Sequence, residues 1–281
     1  FGRADIPDYA FENAGIMLNF STDFLEGWGS SVENARRFTE AHAYRNGNKK
    51  RLIHISPHVS LTGAKSDRWI QIKPGTEGLV ALAIAFVIRE EKDNYEFLKT
   101  YLESYKPEKV AAASGVSAEK IRELAKDVLD NGPLMALAGG NLIATDQCVE
   151  TLTAVNILNA VAGALGKTIR FYDQDPSEVA SHKEVNKLIS DLNSGQIKLL
   201  IIDDSNPVYA LPPSMEFIKA MKKAFVVSIA SQKSETTHAA NLVMPALTAY
   251  ESWGDAHPRS GVRSIQQPVM SPVNMFDAKA R

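Results

Sequence analysis

The stretch that decides the fold is AGIMLNFSTD, residues 14–23, in which an apolar run of β-strand character is followed at once by short polar side chains. Four more apolar runs end in the same way, in loops of small and polar residues: 52–55, 134–138, 199–202 and 225–229. In an open parallel sheet, ligands bind outside the carboxyl ends of the strands, where such loops meet. The pattern therefore predicts a protein that binds a polar or phosphorylated ligand.

Segments with helical periodicity lie between these apolar runs. Ser117 is a predicted helix cap, and the apolar residues of 118–131 recur at the spacing of one helix face. Thr76 is a predicted cap for 77–89, whose apolar residues cover nearly the whole circumference, as in a helix enclosed between two layers. Further helices are predicted over 149–165 and 214–223.

Strands that alternate with helices predict βαβ units with right-handed crossovers and parallel sheets. We therefore expect an α/β fold of Rossmann-like three-layer units with mostly parallel sheets. The step Tyr105-Lys106-Pro107 lies within a largely helical stretch and is the predicted passage between two such units. The predicted organisation is two packed α/β domains, residues 1–105 and 106–281.

The composition excludes several classes of protein. With 31 basic against 33 acidic residues, the formal net charge of −2 gives no electrostatic reason to expect a nucleic-acid partner. Cys148 is the single cysteine, so we expect no internal disulfide and no iron–sulfur cluster held by four thiolates. The longest apolar stretch, 79–88, is far shorter than the roughly 20 residues that span a bilayer. Because the sequence begins with Phe1 and shows no signal-peptide core, we expect a soluble piece of a larger protein.

Three polar segments are candidate binding loops, and each also has a purely structural interpretation. In 73–78, Thr76 caps a helix and Glu77 opposes the positive end of its dipole; alternatively, the Glu77 carboxylate accepts paired hydrogen bonds from a guanine edge. The segment 203–207 either ends a strand in an Asn-Pro turn or offers several acceptors to a ligand or a divalent metal. The hydroxyls and amides of 231–238 either cap the following helix or hold a diphosphate or ribose.

No arrangement of residues predicts nucleophilic or metal-dependent catalysis by the polypeptide. The sequence has no Gly-x-Ser-x-Gly elbow, no Walker A loop and no His-Glu-x-x-His helix. His54, His58 and His238 have no partner histidine or cysteine at ligand spacing. We therefore predict no catalytic residue and no metal ligand in this chain.

Six segments in chain order carry a resemblance to a known family. They are STDFLE at 21–26, SPH at 56–58, WIQIKPGTEG at 69–78, AVNILNA at 154–160 with Gly166-Lys167, SNP at 205–207, and ET at 235–236 running on to Pro245. In the same order, molybdopterin oxidoreductases show Gly-Ala-Asn/Asp-x-x-Glu, Asp-Pro-Arg, Pro-Gly-Thr-Asp, a helix before Gly-Lys/Arg-Pro-Gly, Gly-Asn-Pro, and Glu-Thr-Ala…Ala-Asp…Leu-Pro. The sequence therefore resembles the central part of this superfamily, which includes dimethyl sulfoxide reductase, formate dehydrogenase and polysulfide reductase.

The resemblance implies a cofactor and the residues that hold it. In the family, two central α/β domains hold the guanosine and diphosphate ends of two pterin guanine dinucleotides, which chelate one molybdenum or tungsten. The residues implied for one dinucleotide are Asp23, Glu26, Ser56 and His58, with Thr76 and Glu77 at its guanosine end. Those implied for the other are Ser205, Asn206, Ser231, Thr236 and Asn241. The implied function is that of an oxidoreductase fragment that holds a bis(molybdopterin guanine dinucleotide) for two-electron chemistry and is inactive when isolated.

Three departures from the family pattern favour an alternative. Ser56 and His58 stand where the family has an acid and an arginine. Asn241 replaces an acid that accepts two bonds from guanine, and an amide has only one acceptor oxygen. The segments SLTGA at 60–64 and ESWGDA at 251–256 resemble most the branch with the iron–sulfur subunit of alternative complex III, which carries no molybdenum centre. The alternative is therefore a cofactor-free scaffold in a membrane-associated electron-transfer complex.

Both interpretations imply the same partners for the parent protein. These are the remaining domains of the parent chain, iron–sulfur electron-transfer subunits and a membrane-anchor subunit, with the parent itself periplasmic or membrane-associated. A third interpretation, an unrelated sugar- or nucleotide-binding α/β protein, requires the six ordered matches to be coincidental.

Overall fold

The computed structural model describes residues 7–44, 49–140, 143–171, 180–259 and 262–273. Contacts divide them into two compact units, unit 1 with residues 7–171 and unit 2 with residues 180–273. Each unit is an α/β structure built on a parallel sheet, as the sequence predicts.

Unit 1 is built from strands and helices that alternate along the chain. Its strands in the described residues are β1 Asp8–Tyr9, β2 Ile16–Phe20, β3 Arg51–Ser56, β4 Arg68–Gln71, β5 Leu134–Ala138 and β6 Ile169–Arg170. Its helices there are α1 Ser31–His42, α2 Leu61–Ala64, α3 Glu77–Lys92, α4 Lys99–Leu102, α5 Pro107–Ser114, α6 Ala118–Asn131 and α7 Cys148–Ala162. β1 and β6 form a separate antiparallel pair.

The main sheet of unit 1 is parallel, with the strand order β4-β3-β2-β5. β2 pairs with β3 on one side, where Ile16 is opposite Arg51, and with β5 on the other, where Ile16 is opposite Leu134. The chain thus adds β3 and β4 on one side of β2 and then crosses over for β5. Open α/β sheets bind ligands at such a reversal, outside the carboxyl ends of the two strands that flank it, here β2 and β5. We call this position the crevice.

α3 is the enclosed helix that the sequence predicts. Its side chains from Val80 to Phe86 are buried, and it shares a core with the sheet and with α5, α6 and α7. The start of α3 differs from the prediction, because the Thr76 hydroxyl donates to the Lys73 carbonyl (2.6 Å) and caps no helix amide. At α6 the predicted cap is confirmed, since the Ser117 hydroxyl accepts from the amide of Lys120 (3.2 Å).

The opposite face of the same sheet is covered by an aromatic cluster. Met17, Leu52 and Met135 from three neighbouring strands are fully buried on this face. Phe24 follows β2 and packs edge-on against Phe38 of α1, with ring centroids 5.4 Å apart. Both faces of the unit 1 sheet are therefore buried, as is usual for a parallel sheet.

Unit 2 has a smaller parallel sheet with the strand order β7-β8-β9. In the described residues its strands are β7 Leu199–Asp203, β8 Phe225–Ala230 and β9 Leu242–Pro245, followed by an antiparallel pair of β10 Gly254–Arg259 and β11 Val262–Gln266. Its helices there are α8 His182–Asn193, α9 Pro207–Ala210, α10 Phe217–Met221 and α11 Glu235–Ala239. Apolar side chains of α8 and α10 bury one face of the sheet, including Ile202 and Val226.

Two predicted helices end earlier than the sequence suggested. The helix predicted over 149–165 ends at Ala162, because Gly163 takes a left-handed conformation (φ 80°). The helix predicted over 214–223 is split, since Glu216 adopts φ 49° between a short 3-10 turn and α10. Within the described residues, no helix combines the length and the apolar character needed to cross a bilayer.

The boundary between the units lies elsewhere than the predicted 105/106 step. β5 follows that step in sequence, yet it pairs with β2. The helices α5, α6 and α7 also follow it and pack against α3. Residues 107–171 therefore belong to unit 1, because they supply part of its sheet and the layer that encloses α3.

Candidate functional site

The loop after β2 turns sharply beside the crevice. Ser21 adopts a left-handed backbone (φ 55°), which is uncommon for a residue with a β-carbon. Its amide donates to the carbonyl of Ile55 in β3 (3.1 Å). The amides of 26–28 all donate to the Asp23 carbonyl, at 3.0 to 3.1 Å. These bonds fix a compact turn at the carboxyl end of the sheet.

A buried hydrogen bond joins this loop to the start of α3. The Ser21 hydroxyl donates to Oε1 of Glu77 (2.9 Å), and the two side chains are 0% and 3% exposed. In the described part of the chain, Oε2 of Glu77 has no hydrogen-bond partner. The bond therefore places a carboxylate beside the crevice with one oxygen available to a donor.

Asn19 and His54 form a buried pair across β2 and β3, beneath the same loop. The Asn19 side chain makes two hydrogen bonds to the Thr22 backbone. Its Nδ2 donates to the Thr22 carbonyl (2.8 Å), and its Oδ1 accepts from the Thr22 amide (3.1 Å). Nδ2 of Asn19 also lies 2.9 Å from Nδ1 of His54. Because the amide nitrogen is a donor, Nδ1 accepts and the imidazole proton is on Nε2. Burial lowers the pKa of His54, against the opposing effect of the Asp23 carboxylate, so the ring is neutral at pH 7.

Within the described residues, two buried polar atoms in and beside this pair have no hydrogen-bond partner. They are Nε2 of His54, which is a donor, and Oδ1 of Asp23, which is an acceptor. Buried polar atoms in native proteins are almost always hydrogen-bonded, so each such atom requires an explanation. An unsatisfied carboxylate oxygen in the loop after β2 indicates a place for a ligand or water that brings a donor.

The other predicted residues of unit 1 lie in loops at the same edge. Ser56 is buried at the end of β3, and its hydroxyl accepts from the His58 amide (3.4 Å). The Ser56 carbonyl accepts from the indole of Trp69 (3.0 Å). The side chains of His58 and Glu26 are exposed. The sheet thus gathers all six predicted residues of unit 1 at its carboxyl edge, although the hydroxyl of Thr76 is already engaged with Lys73.

Residues that sequence analysis did not select also shape this edge. Gly139, directly after β5, has φ 155°, and a β-carbon there would lie 2.1 Å from Nε1 of Trp28. The turn after β2 and the turn after β5 therefore pack directly on each other. Asn19 and His54 were missed as well, although each is a polar residue inside an apolar strand, and that pattern was the available signal.

Unit 2 has its own polar cluster where β7 and β8 end. Oδ1 of Asn206 accepts from the amide (3.2 Å) and the hydroxyl (2.7 Å) of Thr236. Nδ2 of Asn206 donates to Glu235 (2.6 Å), and this bond lowers the pKa of the Glu235 carboxyl. The Thr236 hydroxyl also accepts from the amide of Val208 (3.2 Å). These side chains satisfy one another and join the loop after β7 to α11.

The structure places the other predicted residues of unit 2 at two different edges. Ser205 and Ser231 are exposed at the carboxyl edge, where the Ser231 hydroxyl donates to Asp204 (3.5 Å). Asn241 is at the amino edge, where its Oδ1 accepts from the Val226 amide (2.8 Å). The structure therefore does not bring Asn241 together with Ser205 and Ser231, because α11 has only five residues and returns the chain to the start of β9.

The chemistry of the unit 1 edge suits a ligand rich in N–H and O–H donors. Asp23 and Glu77 each have a carboxylate oxygen that no group in the described residues contacts by a hydrogen bond. A guanine edge or a ribose presents such donors. No group of three or more His, Cys, Asp and Glu side chains in the described ranges is arranged to hold a metal ion.

Comparison with known proteins identifies the family. The sequence model of the molybdopterin oxidoreductases matches residues 7–279. The chain is 24% identical to the menaquinone reductase, molybdopterin-binding-like subunit, of Nitratidesulfovibrio vulgaris over 96% of its own length. It is also 24% identical to the F420-dependent formate dehydrogenase 1 subunit alpha of Methanococcus maripaludis over 79% of its length.

A solved structure shows the same fold. Acetylene hydratase from Pelobacter acetylenicus matches 99% of this chain with a TM-score of 0.73 at 16% sequence identity. The chain covers 47% of that structure, and 42% and 40% of the two relatives. It therefore spans less than half the length of the proteins it matches.

Proposed function

Because the chain belongs to the molybdopterin oxidoreductase family, we propose that it holds the guanosine-diphosphate ends of a bis(molybdopterin guanine dinucleotide) cofactor in a larger redox protein. The observation that carries this proposal is the Ser21–Glu77 hydrogen bond, which fixes a carboxylate beside the crevice of unit 1. The unsatisfied oxygen of Asp23 in the adjoining turn supports it. A bound cofactor would supply the two-electron chemistry at its molybdenum or tungsten, and the polypeptide would position it.

Within unit 1, each residue has a distinct proposed role. Asp23 and Glu77 accept hydrogen bonds from the base or ribose, with Thr76 beside Glu77. Glu26, Ser56 and His58 border the same dinucleotide. Asn19 and His54 hold the loop after β2 in place, since the Asn19 amide binds both backbone groups of Thr22.

In unit 2, the residues proposed for the second dinucleotide are Ser205 and Ser231 at the carboxyl edge. Asn206 and Thr236 act on it indirectly, because their side chains hold the two loops together. Asn241 is not part of this proposal, since it lies at the amino edge.

A cofactor-free scaffold is the second candidate function. Two observations favour it: Asn206 already uses its amide within the protein, and Ser56 with His58 replaces an acid and an arginine. The relative from N. vulgaris is itself described as molybdopterin-binding-like. Under this proposal the chain serves as a framework for iron–sulfur and membrane-anchor subunits.

Metal and pterin analysis of the natural full-length protein distinguishes the two functions. The protein is purified from a host that makes the cofactor, molybdenum and tungsten are measured by mass spectrometry, and the pterin is measured by fluorescence after oxidation. We expect near-stoichiometric metal and pterin. If both are absent from the wild-type protein, the cofactor-holding function is refuted and the scaffold function stands.

The variant Glu77→Gln tests the residue that carries the proposal. Glutamine keeps an acceptor for the Ser21 hydroxyl but replaces the free carboxylate oxygen with an NH2 donor, so the fold is retained while the ligand loses an acceptor. We expect a clear loss of pterin content. Glu90→Gln, at an exposed position on the same helix, is the matched control and should retain the wild-type content. Equal pterin content in the two variants would contradict the role of Glu77.

A further inference from the structure

One face of the unit 2 sheet carries a continuous apolar surface that is open to solvent. Cross-strand register places one set of side chains together on this face, which we call the open face: Leu199, Ile201, Asp203, Phe225, Val227, Ile229, Leu242 and Met244. Five of them are about half exposed: Leu199 (54%), Ile201 (58%), Phe225 (52%), Leu242 (46%) and Met244 (49%). Apolar side chains thus cover nearly the whole of this face.

The other face of β7 and β8 is covered. Ile202 is 6% exposed and Val226 is 1% exposed beneath α8 and α10. In β9 the two faces do not differ in this way, since Val243 is 45% exposed. In β7 and β8 the contrast follows the alternation of side chains along each strand, so it is there a property of the two faces.

Unit 1 provides an internal reference for a complete sheet. There, Leu18 and Ile53 are buried on one face, and Met17 and Leu52 are buried on the other. Parallel sheets occur almost only with both faces covered, and their strands then read as continuous apolar runs. The runs LLII at 199–202 and FVV at 225–227 have this character, so the sequence of unit 2 also encodes two buried faces.

We propose that the open face is the docking surface for a further segment of the same polypeptide, which presents the apolar side of one or more helices. The relatives are more than twice as long as this chain, which covers 42% and 40% of them, so each contains ample polypeptide for such a layer. Helices on both faces of a parallel sheet complete the usual three-layer arrangement. The proposal is independent of whether a cofactor is bound.

The experiment uses the natural full-length protein and locates whatever covers the open face. A photoreactive p-benzoylphenylalanine replaces Phe225, and cross-linked peptides are identified by mass spectrometry. The control places the same group at Tyr209, which is 77% exposed on α9. We expect Phe225 to cross-link to a peptide outside residues 1–281, and Tyr209 not to cross-link to that peptide.

A measurement on the unmodified protein keeps the test valid if the probe disturbs folding. In hydroxyl-radical footprinting of the full-length protein, Met244 should be protected to the same extent as the buried Met17. Protection of Met244 together with a cross-link to an outside peptide supports the proposal. Oxidation of Met244 at the rate seen in the denatured protein overturns it. A cross-link to residues 1–281, in the same chain or in a second copy, or no cross-link at all, also overturns it.

Discussion

At the residue scale, the buried pair of Asn19 and His54 links the fold to the candidate site. His54 has no exposed surface and its pKa is lowered by burial, so the folded protein binds a proton there less readily than the unfolded chain does. The contribution of His54 to the free energy of unfolding is therefore fully present above the unfolded pKa of about 6.5, and it is lost progressively as the pH falls below that value. The loss cannot exceed about 1.4 kcal/mol per pH unit, the limit for one proton.

The variant His54→Gln tests this linkage. Glutamine still offers an acceptor to Asn19 but does not titrate, so the part of the acid destabilisation that arises from His54 should disappear. Urea unfolding at about pH 7.5 and pH 5.5 gives the free energy of unfolding of each protein on both sides of the unfolded pKa of histidine, and the difference between the two values is compared. The wild-type protein, measured at the same two pH values, is the reference. If the free energy of unfolding of His54→Gln changes between the two pH values as much as that of the wild type, another group controls the acid response.

At the element scale, the carboxyl ends of β2 and β5 are held together by contact between two turns. A β-carbon on Gly139 would lie 2.1 Å from Nε1 of Trp28, whose ring packs against Tyr9 with centroids 5.1 Å apart. Gly139→Ala should therefore destabilise unit 1 by about 1–3 kcal/mol, because the indole must move out of a packed cluster. Gly27→Ala is the control, since nothing lies within 4 Å of a β-carbon there. Equal denaturation midpoints for the two variants would rule out the proposed contact.

The limits of sequence analysis are also clearest at the element scale. Strand ends were predictable because apolar runs stop at polar loops, and the Ser117 cap because its spacing is local. The helix break at Glu216 was not predictable, because the residue that adopts the left-handed conformation there is a glutamate and not a glycine. The Ser21–Glu77 bond joins residues 56 apart, and only the sheet order brings them together. The position of Asn241 at the amino edge was not predictable, because a motif gives order along the chain and does not give the edge of the sheet.

At the scale of the whole molecule, the division into units makes a prediction about truncated chains. A chain ending at residue 171 retains β5 and the helices that enclose α3, whereas one ending at residue 105 lacks them. The shorter chain exposes the side of α3 that packs against α5, α6 and α7, and each large apolar side chain exposed there loses about 1.5–3 kcal/mol of burial. Several such losses are comparable with the total stability of a typical domain, about 5–15 kcal/mol.

We therefore expect residues 7–171 to unfold cooperatively in urea and residues 7–105 to show no cooperative transition. Circular dichroism of both chains measures this directly, and the near-ultraviolet signal of Trp28 and Trp69 reports tertiary packing. The comparison separates the two possible boundaries, because a domain that ended at 105 would contain its own core and would not need β5. A cooperative transition in residues 7–105 would place the boundary at the Tyr105-Lys106-Pro107 step after all. It would also mean that the pairing of β2 with β5 is not needed to form the crevice edge that holds Asp23 and Glu77.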